Sequence, residues 1–496
     1  MEAQFRTPPD VAKPRVWWHW MNGNVAEAGI TADLQWMNRV GIGGVHLLDA
    51  GLNSPQWIQN RIPYMSPGWK KAFSYSVNMT AKIGMEFGVF SSPGWSITGG
   101  PWVTPEQAMK KLVWSELTIN GGKLFKGTLP NLPITTGPFQ HVPRSHRGHI
   151  IATDASRKVP EYHQDTIVIA YREPSVETNT PLASLHSNFV KGDLGALTDK
   201  NSSTGLTLPP VTGKKNSWIK MDYGQPFSVR SITVAVSPPG SFVNLSVSND
   251  GKKFRKLKTF YMGPIAQVTV DFEPVTARYF RFSFHSPRVP TDFFLANAVP
   301  GASRDGLRDL FGIGQIDTPP IVIHDLILRQ APRVNHFEKK AGFAIARDYY
   351  AIDTSPVAKN LSVAACDVID LTELMQDDGY LECDAPPGNW VVLRMGYSLT
   401  GSMNHAASRE GTGLEVDKLN RRHVQQYMDT YLQSYEAILG PKLIGKRGLN
   451  AFMTDSFEVG LKNWTDDILL QFERLRGYDP LPWLPSLTGI VVESAE

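Results

Sequence analysis

Two acidic groups with polar neighbours are where this sequence could do chemistry. Thr454-Asp455-Ser456-Phe457-Glu458 follows the apolar run Asn450-Ala451-Phe452-Met453, so both carboxylates sit where a strand passes into a loop. A carboxylic acid in that place can protonate the leaving oxygen of a glycoside, and Glu458 is the candidate acid. The same residues also fit a turn in which Asp455 caps the backbone and Glu458 is a solvated loop side chain. Glu410-Gly-Thr-Gly-Leu-Glu415-Val-Asp417 is the second group, and there Asp417 also reads as a helix cap with Glu415 as its neighbour. His405 reads as a surface loop histidine.

Three more clusters end apolar runs: His19-Trp20-Met21-Asn22-Gly23, Asp49-Ala50-Gly51, and Ser91-Ser92-Pro93-Gly94-Trp95 running into Gly99-Gly100-Pro101-Trp102. An indole face covers the C–H side of a pyranose, while carboxylates and amides bind its hydroxyls. His19, Asn22, Asp49, Trp95, Glu415 and Asp455 are therefore the candidate sugar contacts; no metal ligand is assigned. Trp17 and Trp18 are neighbours on one strand and cannot both face a cleft, so one of them belongs to the core. Trp95, in a Pro-Gly loop, reads equally well as core or as a binding face. A P-loop, a strand-linked Gly-x-Gly-x-x-Gly, His-Glu-x-x-His and Gly-x-Ser-x-Gly are all absent, which removes nucleotide, zinc-peptidase and serine-esterase readings.

These clusters need elements to hold them. Up to about residue 108 short apolar runs alternate with helical patterns, the βα rhythm of a parallel sheet or barrel. Arg15–Trp20, Gly44–Asp49 and Met85–Phe90 read as strands. Ile30, Leu34, Met37 and Val40 mark one helix, and Trp69, Phe73 and Val77 mark another, opened by a Ser66-Pro67 cap. Catalytic groups of such folds collect at the carboxyl ends of the strands.

Residues 109–189 then read as a β-rich insertion, with a polar connector at Ser175–Pro181, and 190–290 as a β-sandwich. Its pieces are Leu194–Asp199, Trp218–Gly224, Ser231–Val236, Asn244–Gly251 and Ala277–Phe282, an order that resembles the discoidin fold of galactose-binding-like sandwiches. Residues 291–388 are a β-rich return, and 389–496 resume the α/β rhythm. That last part offers a strand at Trp390–Gly396 and a helix over Val416–Leu439 with Val424, Tyr427, Tyr431, Tyr435 and Ile438 inward. A helix capped by Thr465 follows, with Ile468, Leu469, Phe472 and Leu475 inward, then a strand start at Gly489–Val492. The fold class is α/β plus all-β: a partial (β/α)8 barrel interrupted by a β-sandwich. Five strands of βα type are expected where a barrel needs eight, so the chain is expected to stop inside its barrel.

The 496 residues carry 50 Lys and Arg against 47 Asp and Glu, a net +3 that gives no footprint for nucleic acid. No apolar run reaches the ~20 residues that span a bilayer, and Met1-Glu-Ala-Gln-Phe-Arg6 lacks the pattern of a signal peptide. Thirteen Trp, 15 Tyr and 23 Phe suit flat neutral ligands such as sugars. Cys366 and Cys383 allow one disulfide at most.

Trp17-Trp-His-Trp-Met-Asn-Gly23, Ile30-Thr-Ala-Asp-Leu34, Ser91-Ser-Pro-Gly-Trp95, Thr98-Gly-Gly-Pro-Trp102, Gly413-Leu-Glu-Val-Asp-Lys418, Asp455-Ser-Phe-Glu-Val-Gly460 and Asn463-Trp-Thr-Asp-Asp467 occur in fixed order. With these motifs the chain resembles the α-L-rhamnosidases of glycoside hydrolase family 106. The resemblance implies a (β/α)8 catalytic barrel interrupted by β domains, calcium-assisted inverting hydrolysis of rhamnose-containing carbohydrates, and export to the periplasm or cell surface. It places the general acid on Glu458, with Phe457 standing where the family motif also has Tyr. The base carboxylate of the family comes from a later barrel strand and matches no residue here. Two other readings stand beside this one: a non-catalytic carbohydrate-binding fragment, and a barrel glycosidase for another sugar.

Overall fold

The computed structural model describes residues 2–51, 54–143, 159–174, 176, 181–189, 194–199, 204–208, 217–237, 241–262, 265–285, 320–346, 352, 355–446 and 448–495. A four-stranded parallel sheet is formed in the order β1 (Arg15–Met21), β2 (Gly44–Ala50), β3 (Glu86–Phe90) and β4 (Leu449–Met453). Helices α1 (Glu27–Arg39) and α2 (Pro67–Ile83) connect the first three strands, and α3 (Arg421–Leu439) precedes β4. The Ser66 hydroxyl accepts from Trp69 N, Pro67 opens α2, and Gly84 ends it at φ 75°, a left-handed backbone that costs glycine little.

Strand alternation divides the side chains of β1 between two faces. Trp18 and Trp20 are buried toward the helices: Trp18 Nε1 donates to Asp33 Oδ2 of α1 at 3.0 Å, and Trp20 meets Trp69 of α2 at 5.7 Å. Trp17 is on the opposite face, half-exposed and edge-on to Phe90 at 5.3 Å. Trp18, not Trp17, is thus the core residue of the pair.

Helix α3 carries tyrosines at 427, 431 and 435, a four-residue spacing that stacks them on one buried stripe. Tyr427 Oη donates to Ser91 O at 2.7 Å and Tyr431 Oη to Phe90 O at 3.0 Å. The stripe therefore satisfies backbone carbonyls where β3 ends, and each ring pair along it contributes about 1 kcal/mol beyond burial. The helix starts later than its apolar pattern suggests. Asn420 caps it by accepting from Arg422 N and His423 N, while Asp417, expected to be the cap, lies buried and accepts from Thr465 Oγ1 at 2.6 Å.

That bond also takes Thr465 out of its expected capping role. Helix α4 (Ile468–Arg476) has Asp467 at its cap position, and Leu475, expected inward, is exposed.

The strand expected at Trp390–Gly396 exists as Asn389–Leu399, but it is not of βα type. It pairs antiparallel with Lys110–Asn120 on one side and His163–Arg172 on the other. Nearly every residue along it is buried, and a continuous apolar run reads alike for any central strand, parallel or antiparallel. Gly489–Val492 is likewise no strand of a sheet: it follows a 3-10 helix, Leu481–Thr488, and makes one isolated parallel bridge, Val492 to Val363. Among the described residues the parallel strands number four, not five.

Among the described residues the largest sheet has seven strands. Its centre is the long pair Ser217–Ser237 and Gln267–His285, flanked by Phe242–Ser248 and Val322–Arg329. Register shifts at Asp271/Val275 and Ala277/Tyr279 bend the long pair. Residues from both halves, including Ile219, Val234, Phe282 and Leu326, share one core. The expected strands at 218–224, 231–236 and 277–282 lie on this pair, and that at 244–251 overlaps Phe242–Ser248, which ends three residues earlier. Leu194–Asp199 instead holds a 3-10 turn, Gly195–Leu197, which buries Leu194 and Leu197 together. The sheet takes in Ser184–Ser187 and Val322–Arg329, so it is wider than residues 190–290. Most of the expected connector at Ser175–Pro181 and much of 291–388 lie outside the described residues. Cys366 and Cys383 are both free, and no helix among the described residues is long and apolar enough to cross a membrane.

Candidate active site

The carboxyl ends of β2 and β3 are covered by one loop, 404–413, that arrives from the antiparallel sheet. Gly51 N donates to Ala406 O at 2.8 Å and Trp95 N to His405 O at 2.7 Å. His405 N donates to Ser96 Oγ at 3.0 Å, and Asn404 Nδ2 to Pro93 O at 2.9 Å. Glycine is required under this loop. A Cβ on Gly51 would lie 2.3 Å from Ala407 O, and one on Gly94, at φ 80°, would lie 2.7 Å from the His405 carbonyl.

Asp49, on the helix-facing side of β2, is enclosed. Its carboxylate accepts from Trp69 Nε1 at 3.2 Å and Ser408 Oγ at 2.6 Å. Burial pushes its carboxyl up to about 7, against the opposing effect of those two hydrogen bonds. Glu415 is fully enclosed as well, accepting from Thr98 Oγ1 at 2.7 Å and Lys418 Nζ at 2.6 Å. Both residues lie beneath the strand-end surface, where they hold loops. Replacing Glu415 with alanine leaves Lys418, whose side chain is only 12% exposed, without its carboxylate. The expected cost is about 3 kcal/mol by denaturant unfolding, because a buried charge is left unpaired. A loss under about 1 kcal/mol, as for exposed pairs, would show that water takes the carboxylate's place.

On the other face the strand ends present a more open surface. His19 is half-buried, with burial lowering the affinity of its ring for a proton, and its ring meets Trp95 edge-on at 6.5 Å. Trp95 packs beside Leu48, Ala50 and Phe90, and its Nε1–H makes no hydrogen bond. The β4 end supplies Asp455, which accepts from Ser456 N, and Glu458. The Glu458 side chain is 51% exposed, with Oε2 at 3.7 Å from His405 Nε2. Phe457 lies beneath Lys462 Nζ, 4.5 Å from the ring centroid.

Asn22, at φ 50°, turns elsewhere. Its Oδ1 and carbonyl oxygen accept from Arg61 Nε, and Arg61 makes a two-toothed pair with Glu410 at 2.9 and 2.7 Å. That pair holds the Glu410 carboxyl below its usual range.

Contacts thus link His19 to Trp95, and through the loop His405 to Glu458. Sequence reasoning set His405 aside as a surface residue, yet it is only 7% exposed. The two glycines beneath its loop, Gly51 and Gly94, were the available signal of close backbone approach. Among the described residues no three or more His, Cys, Asp or Glu are arranged to hold a metal ion.

A family model described as alpha-L-rhamnosidase matches residues 6–496. The chain belongs to glycoside hydrolase family 106. Among solved structures, the family 106 chain is similar to a rhamnosidase from Novosphingobium sp. PP1Y, with 39% identity and a TM-score of 0.83 over all of this chain and 43% of that one. Among curated proteins it is 25% identical over 496 residues to a "Putative beta-glucuronidase" of Formosa agariphila, covering 27% of that protein. The chain spans less than half the length of these relatives.

Proposed function

We propose that this chain carries the acid side of an α-L-rhamnosidase active site, with Glu458 as the general acid. The observation that carries the reading is the placement of Glu458. It is the half-exposed carboxyl in the loop after β4, linked through His405 to the strand-end surface that bears Trp95 and His19. The four parallel strands are read as part of a (β/α)8 barrel, whose catalytic groups gather at this end.

In the reaction, the Glu458 proton passes to the glycosidic oxygen as the C1–O bond breaks, and the aglycone leaves as a neutral alcohol. Water adds to C1 and gives its proton to a base. Inversion requires that base to be a carboxylate about 6.5–9.5 Å from the acid, and no residue of this chain is assigned to it. Trp95 and His19 present faces for the pyranose, and Asp455 offers a polar group to its hydroxyls, while Asn22 is turned to Arg61. Asp49 and Glu415 support this surface from beneath. The natural substrate is a rhamnose-containing carbohydrate, met outside the cytoplasm.

A panel of aryl glycosides, including the α-L-rhamnoside and the β-D-glucuronide, tests the reading on the full-length protein. The rhamnoside is expected to be cleaved, with the initial sugar anomer inverted by NMR. Cleavage of the glucuronide alone would replace the reading with a different sugar specificity. Binding of rhamnose without turnover of any member would replace it with a carbohydrate-binding role.

A further inference from the structure

His405 is held more firmly than a surface histidine needs to be. Its ring is enclosed, its N–H is bound to Ser96 Oγ, and its carbonyl accepts from Trp95 N. Ring Nδ1 lies 3.3 Å from Met403 O. A carbonyl oxygen can only accept, so Nδ1 carries a hydrogen, and the proton that a histidine gains and loses is the one on Nε2. Nε2 is the nitrogen that faces Glu458 Oε2.

The two groups come from different elements. His405 is fixed by the loop over β2 and β3, whereas Glu458 comes from the end of β4 with half of its side chain exposed. The exposed carboxyl is free to turn between the ring and a bound sugar. A general acid must regain its proton after every turnover, at the pH of turnover.

Resting on the assignment of Glu458 as the acid, we infer that His405 is its positioning and proton-supplying partner. The imidazolium gives its Nε2 proton to Glu458 Oε2, leaving neutral imidazole and a carboxylic acid. That acid protonates the leaving oxygen, and the imidazole takes its next proton from water. The same two loops also carry Asp455 and Arg409, and the ammonium groups of Lys418 and Lys462 lie 5.9 and 4.5 Å from the ring of Phe457, the neighbour of Glu458.

His405→Asn tests this in the full-length protein, because its amide N–H can replace Nδ1 toward Met403 O while Nε2 is gone. With an aryl rhamnoside of poor leaving ability, kcat should fall about tenfold near neutrality and KM should change little. The alkaline limb of the kcat profile should move down by about one pH unit, as expected when a coupled pair is reduced to one group. A dinitrophenyl rhamnoside, whose leaving group needs no proton, should be cleaved at nearly the wild-type rate. A folded variant with an unchanged pH profile and unchanged leaving-group dependence overturns the inference.

Glu458→Gln separates this failure from failure of the acid assignment. If Glu458→Gln is inactive on the poor leaving group and rescued by the dinitrophenyl one while His405→Asn matches wild type, only the partnership fails. If Glu458→Gln is itself fully active, the acid assignment fails. Should His405→Asn not fold, histidine NMR of wild type against Glu458→Gln decides the matter. The ring nitrogen shifts of one imidazole should change once the carboxylate is gone, and no such change refutes the pairing.

Discussion

Replacing Glu458 with glutamine will lower kcat on an aryl α-L-rhamnoside by about 10³-fold and leave rhamnose affinity within about twofold, because positioned acids contribute about 10²–10⁴-fold. The substitution keeps the size of the side chain and removes the only proton it could give. Stability will barely change, since the side chain is half-exposed and its ion-pair partner is a histidine at 3.7 Å. A thermal unfolding midpoint equal to wild type, with turnover lost and binding kept by calorimetry, is the expected outcome. Undiminished turnover would sink the assignment. Equal loss of binding and turnover would make Glu458 a sugar contact instead.

The second large effect is on stability, and it depends on pH through Asp49. Burial raises its carboxyl from the ordinary 3.8 to about 7. Between those values the folded state holds a proton that the unfolded state releases, so raising the pH favours unfolding. Below about 4 both states are protonated and there is no penalty; above about 7 both are ionised and the penalty is fully present. Each pH unit in the window costs about 1.4 kcal/mol, so a span of about three units costs about 4 kcal/mol. Asp49→Asn carries no charge in either state. Its amide oxygen can still accept from Trp69 Nε1, and its amide nitrogen can donate to Ser408 Oγ. Urea unfolding at pH 4.5 and pH 8 should show a smaller loss for the variant than for wild type, the variant being the more stable at pH 8. Parallel curves for the two proteins would mean that Asp49 stays ionised in the fold.

Local signals explain what was legible in the sequence. The first three strands and the first two helices were readable because βα units are built from neighbours: the Ser66-Pro67 cap, the Trp69, Phe73 and Val77 face and the end at Gly84 all lie within one short segment. The carboxyl-end clusters followed from the strands. Asn389–Leu399 was misassigned because its partners, Lys110–Asn120 and His163–Arg172, are far away in sequence and an apolar run does not name its neighbour. Asp49 and Glu415 were read as sugar contacts, but both are enclosed beneath the strand-end surface. Their enclosure depends on Ser408, Trp69, Thr98 and Lys418, and no spacing rule brings those side chains together. His405 was missed for the same reason, since what buries it is a loop laid over the far-off Gly51 and Gly94.

That loop also sets an order of events at the ribosome. Ser96 and His405 are 309 residues apart, so β1, β2 and β3 emerge with their carboxyl ends bare and remain so until the intervening sheets have been made. At about 5–20 residues per second the wait is about fifteen seconds to a minute. The half-built sheet must stay soluble for that time with Trp17 and Trp95 uncovered, and a holding chaperone should find it mainly in this interval. Nascent chains arrested shortly after residue 100 should therefore be easier for a protease to cut than chains arrested after residue 460.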